Sequence, residues 1–126
     1  EKAERAALFS ALALQDFVRQ CEADRRRAGL FPLTIGVGIN SGKVMMGDVG
    51  SRTRKDFTVI GDTVNLAARL ESLSQKGRHT AVMISEQTLQ PLKDLITVEE
   101  LPISRVKGKM EMVRIFEVCS MKEPAK

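Results

Sequence analysis

A chain of 126 residues, 43% hydrophobic, is long enough for one domain with a real core and too short to require a second. Its net charge of +4 and pI near 9.3 favour anionic partners, but the 20 basic side chains are scattered among 16 acidic ones and aromatics make up only 4%. That mixture suits a polyphosphate ligand better than a nucleic-acid track, which would need a basic stripe with stacking aromatics.

No apolar run reaches membrane-spanning length and no signal peptide opens the chain, so direct membrane contact from this segment is not expected. The first residue is Glu1 rather than methionine, which points to a segment of something longer, with any anchor outside it. Cys21 and Cys119 lack metal-ligand or redox spacing and read as buried, reduced thiols of a cytoplasmic protein.

Residues 1–28 predict a helix, with Ala3, Ala7, Ala11, Leu14, Val18 and Cys21 at spacings of three and four and Gly29 and Pro32 as its stop. Arg25, Arg26 and Arg27 fall in its last turn, where cations complement the helix dipole. Residues 33–40 and 43–49 predict two strands joined as a hairpin through Asn40-Ser41-Gly42. Gly36 and Gly38 within the first imply close backbone approach by another element or a ligand. They do not make a nucleotide loop: Gly36, Gly38 and Gly42 miss the dinucleotide spacing, and Val37 and Val44 stand where a P-loop needs Gly and Ser or Thr.

Residues 50–56 form a polar, basic loop that local sequence reads as solvated. From Phe57 to Ile60 the chain alternates as a strand, Gly61 turns it, and Asp62 can cap the following helix. Leu66, Leu70 and Leu73 supply that helix's buried stripe, and Gly77 stops it. Asn65 and Arg69, four residues apart, share a helix face off the leucine stripe. On local grounds they are ordinary solvated residues, with Arg69 paired to a nearby carboxylate. Residues 81–84 predict a short strand and 85–89 a short helix capped by Ser85 and closed by Pro91, while His79 reads as structural or exposed. Residues 98–106 and 112–118 predict a final hairpin. Strands joined by hairpins and mixed with helices point to an α+β sheet-and-helix fold.

Three blocks of this sequence carry a resemblance: Ile35 through Gly42 followed by Gly47-Asp48-Val49-Gly50-Ser51; Asp56 through Glu71; and Val106-Lys107-Gly108-Lys109. In order and spacing they resemble the class III nucleotide cyclase catalytic domain in its bacterial adenylate cyclase form, over about residues 5–119. The resemblance implies a ferredoxin-like βαββαβ core that dimerises head to tail, each active site being built from both protomers. It implies that Asn65 orients the ribose, Arg69 stabilises charge on the reacting phosphate, Thr58 selects the purine and Lys107 binds the terminal phosphates. Arg54, or less closely Arg52, stands where the family has a phosphate-contacting arginine.

The same resemblance implies ATP as substrate and two Mg²⁺ or Mn²⁺ ions in the intact homodimer. Their aspartate ligands belong to an N-terminal strand and a hairpin with no counterpart in this chain; Asp48, Asp56 and Asp62 match other positions of the pattern. Residues 1–126 therefore read as the C-terminal two-thirds of a single catalytic domain, inactive alone and prone to self-association. Alternatives of other classes are a non-catalytic cyclase-homology module for regulation or dimerisation, and a guanylate cyclase, which Thr58 disfavours.

Overall fold

A computed structural model describes residues 2–51, 54–102, 104–105 and 112–122, with the backbone alone for 48–51, 54–58, 104–105 and 112. The chain opens with helix α1 (Lys2–Arg27). Gly29, at φ 73°, stops it, and the Leu30 amide bonds back to the Arg25 carbonyl at 2.9 Å, as a left-handed glycine cap allows. The three arginines that follow one another there have separate local tasks. Arg25 donates to the Phe31 carbonyl, Arg26 pairs with Glu22 and Arg27 with Asp24.

Next come β1 (Val37–Ile39), β2 (Met45–Ser51), β3 (Arg54–Ile60), α2 (Asp62–Leu73) and a 3₁₀ turn, Ser74–Lys76. They are followed by β4 (Val82–Ser85), α3 (Glu86–Leu89) and a second 3₁₀ turn, Gln90–Leu92, which contains Pro91. Last are β5 (Ile96–Glu100), β6 (Ser104–Arg105), β7 (Met112–Val113) and β8 (Ile115–Met121). The main sheet has the order β1-β4-β8-β5, with β1 parallel to β4 and the remaining pairs antiparallel.

Strand β4 is buried along its whole length, and its period of two sorts it between two cores. Val82 and Ile84 join Leu8 and Ala11 of α1 with Leu92, Ile96, Phe116 and Val118. Met83 turns the other way, to Leu70 of α2 and Ile115. The sheet is thus covered by α1 on one face and α2 on the other, the α+β layering expected from the sequence.

The hairpin expected across Asn40-Ser41-Gly42 is not formed. β1 pairs in parallel with β4, and β2 pairs instead with β3, from Met45↔Ile60 to Ser51↔Arg54, as a separate two-stranded sheet. Residues 50–56, expected as a loop, are therefore mostly strand. A parallel pair needs a long crossover, and the β2–β3 hairpin with α2 supplies it. The hairpin leaves Met45, Met46, Val59 and Ile60 exposed. Two other expectations shift: Gly61 rather than Asp62 occupies the cap of α2, Asp62 being its first residue, and both cysteines are free but only half-buried. The terminal hairpin forms as β5–β8, extended by β6–β7.

Candidate active site

Helix α2 sets the site, and glycines set α2. A β-carbon on Gly38 would meet the Ala67 carbonyl at 2.5 Å and the Glu71 amide; one on Gly36 would overlap the Ser74 hydroxyl. The helix backbone therefore lies directly on the backbone of β1, closer than any side chain there permits. This is the close approach that two glycines in the first strand implied. Leu70 is fully buried below, and Leu66 and Leu73 flank it.

The entry to α2 is fixed twice. Gly61, at φ 134°, turns the chain out of β3 with a backbone that an L side chain rarely adopts, and its carbonyl receives the Asn65 amide at 3.0 Å. Asn40, beyond the end of β1, donates from Nδ2 to the Thr63 carbonyl at 3.0 Å and accepts the Ser85 hydroxyl at 2.6 Å. Thr88 adds bonds to Ser41 and to the Ile39 carbonyl. Asn40, Ser41, Ser85 and Thr88 thus tie the first turn of α2 to β1, β4 and α3. Sequence reasoning took Asn40 and Ser41 for turn formers; the signal available was two short polar residues next to a glycine-rich strand, which also suits a side-chain network.

On this rigid mount Asn65 and Arg69 stand one helical turn apart, Asn65 exposed and Arg69 half-buried. Among the described residues neither side chain has a hydrogen-bond or ion-pair partner. The carboxylate that local reasoning assigned to Arg69 is therefore not found among them. Thr58 lies on β3, opposite Gly47 and three residues before the turn, so strand and helix meet at Gly61. Arg54 begins β3, roughly 13 Å of strand from Thr58. Lys107 and Arg52 lie outside the described residues. An open cleft between the first turns of α1 and residues 39–42 includes neither Asn65 nor Arg69.

Among the described residues no set of oxygen ligands for a pair of Mg²⁺ or Mn²⁺ ions converges. Among the described residues the converging set of three or more ligating side chains is His79, Glu99 and Cys119. A nitrogen, oxygen and sulfur set suits a softer ion than Mg²⁺, which takes oxygens. Burial pushes the Cys119 thiol up, and the carboxylates of Glu99 and Glu117 add to the effect.

The model of the "Adenylate and Guanylate cyclase catalytic domain" family matches residues 1–117. Adenylate cyclase 1 of Rhizobium meliloti is 32% identical over 111 residues, which are 88% of this chain and 16% of that protein. The adenylyl cyclase CyaB from P. aeruginosa superposes with a TM-score of 0.83 at 30% identity, over 98% of this chain and 62% of that one. The guanylyl cyclase Cya2 superposes at 0.79 with 32% identity, over 98% of this chain and 61% of that one. The chain thus spans less than two-thirds of each of these proteins.

Proposed function

This chain belongs to the family of adenylate and guanylate cyclase catalytic domains, and from that premise we propose that it supplies the purine and transition-state half of an adenylate cyclase site. In the parent, ATP is converted to cyclic AMP and pyrophosphate. The observation that carries the reading is the pair Asn65 and Arg69, presented from a helix locked against β1 with no partner for either side chain among the described residues.

The chemistry requires such a pair. The ribose 3′-hydroxyl attacks the α-phosphate in line and pyrophosphate leaves, so charge gathers on the equatorial and leaving oxygens. Arg69 forks its always-charged guanidinium onto those oxygens, and because its helix is already docked it pays no reorganisation as the charge develops. Asn65, one turn earlier, holds the ribose with an amide that both donates and accepts. Thr58 contacts the purine edge, and Lys107 and Arg54 receive the outer phosphates. The threonine at position 58 supports ATP over GTP through the family resemblance.

The two divalent cations of this chemistry are held by residues outside this chain, on a second protomer. The exposed Met45, Met46, Val59 and Ile60 of the β2–β3 hairpin support such a partner surface. The 126 residues are a truncated single domain with half a composite site, inactive alone. Arg69→Ala in the intact parent domain should lower kcat by about 10²–10³ with an unchanged melting temperature. The purified 126-residue chain should yield no cyclic AMP with Mg²⁺ or Mn²⁺. Competition between ATP and GTP on the parent tests the purine. An Arg69→Ala parent of normal rate would sink the assignment, and a parent without turnover would leave nucleotide binding as its role.

A further inference from the structure

Beyond the C-terminal end of α2, three chain segments bring unlike donors together. Residues 77–81 carry His79, β5 carries Glu99 and β8 carries Cys119, and their ligand atoms all lie within 4.8 Å of one another. The arrangement is built rather than accidental in two respects. First, the loop bearing His79 is clamped from below by Glu117, which is 3% exposed and accepts the backbone amides of Arg78, His79 and Ala81 at 2.9, 2.9 and 3.0 Å. Thr80 adds a bond from its hydroxyl to the Val118 carbonyl. Ala81 adopts φ 58° to complete the loop, a conformation that a non-glycine residue holds only when its surroundings demand it.

Second, the β5–β8 ladder is irregular at this spot. Thr97 pairs with Ser120 but Val98 pairs with Val118, which leaves Cys119 as the extra residue of a bulge. Bulges re-aim side chains, and this one puts the thiol beside Glu99 and His79. His79 Nε2 and Glu99 Oε2 are already 2.6 Å apart.

We infer that His79, Glu99 and Cys119 form a binding site for a divalent ion of the zinc class. Imidazole, carboxylate and thiolate are the donors zinc takes, and three protein ligands leave the fourth tetrahedral position for water or an added ligand. Tetrahedral ligands at zinc distances stand about 3.3–3.8 Å apart. Rotation of the exposed Glu99 and His79 side chains by an ångström or so therefore closes the set around an ion. On coordination the Cys119 S–H bond breaks, its proton leaves to solvent, and a metal–sulfur bond replaces it. The ion would staple the loop that follows α2 to both strands of the sheet edge, at the opposite end of the helix from Asn65.

Cobalt reports the site directly, through the near-ultraviolet charge-transfer absorption of a cobalt–thiolate bond. Titrating Co²⁺ alone into the reduced 126-residue chain should raise that band, and one equivalent of Zn²⁺ should bleach it. Cys119→Ser should abolish the band, Cys21→Ser should keep it, and His79→Gln or Glu99→Gln should weaken Co²⁺ binding by about tenfold or more. Circular dichroism of each variant verifies that it is folded. A folded wild type without the band overturns the site, as does a band that survives Cys119→Ser. Wild-type affinity in His79→Gln overturns it too, leaving a simple His79–Glu99 hydrogen bond.

Discussion

The face of helix α2 that carries Asn65 and Arg69 and the loop beyond its C-terminal end treat polar groups in opposite ways. At the C-terminal end the fold answers them from within: Glu117, buried under the 77–81 loop, accepts three backbone amides, and the buried Ser74 hydroxyl bonds to the Glu71 carbonyl. Along the helix itself Asn65, in the first turn, and the half-buried Arg69, one turn further on, have no side-chain partner among the described residues, although Gly61 and Asn40 hold the entry to the helix and Gly38 lies against its middle. The difference separates two uses of polar chemistry. A buried carboxylate that accepts three backbone amides fixes a loop, whereas a guanidinium on a rigid mount with no carboxylate of its own among the described residues is available to an anion from outside.

That contrast can be broken by mutation. Glu117→Ala should be the most damaging change, because three amides lose a charged acceptor in a buried place. A loss of about 3–5 kcal/mol in chemical denaturation is expected, and a loss under 1 kcal/mol would show that the 77–81 loop is not held this way. Gly38→Ala comes next. Its new methyl would press on the Ala67 carbonyl and the Glu71 amide, so roughly 1–3 kcal/mol should be lost as α2 is pushed from β1. In the parent domain the same change should also reduce turnover, since it displaces the mount of Asn65 and Arg69.

Asn65→Ala should change stability by no more than about 0.5 kcal/mol, as an exposed side chain without partners among the described residues implies. A larger loss would mean that Asn65 belongs with Glu117 as a structural group. The smallest effect concerns pH. Arg114, bonded to Glu100 at 2.8 and 3.0 Å and also to Glu86, holds the Glu100 carboxyl below the usual carboxylate range. A lowered folded value means the stabilisation is fully present above the ordinary carboxylate range and is lost as pH falls through the lowered value. Thermal midpoints of wild type and Glu100→Gln should therefore differ slightly at neutral pH and converge in acid. A gap that persists in acid would exclude this ion pair as its source.

Much of the layout was legible in the residues. The three-and-four spacing of α1, the Leu66, Leu70 and Leu73 stripe and the Ser85 cap rest on residues within a few positions of one another, and the terminal hairpin on two alternating runs adjacent in chain order. The pairing of Asn65 with Arg69 was legible for the same reason, since helical geometry alone stacks residues four apart. The strand partners of β1 and β2 were not. Asn40-Ser41-Gly42 has the composition of a hairpin turn, and only the parallel strand β4, over forty residues later, takes β1 away from β2.

By itself, then, the sequence determined the helices, the short buried strand β4 and the face that carries Asn65 and Arg69, because each follows from local periodicity. It also required that something approach Gly36 and Gly38 closely. That the approaching element is α2 itself, that Asn40 anchors the first turn of that helix, and that a bulge on β8 brings Cys119 to His79 and Glu99 were decided only by the tertiary structure. Strand order, register and side-chain partners distant in sequence depend on which surfaces are buried together, and no local pattern encodes that choice.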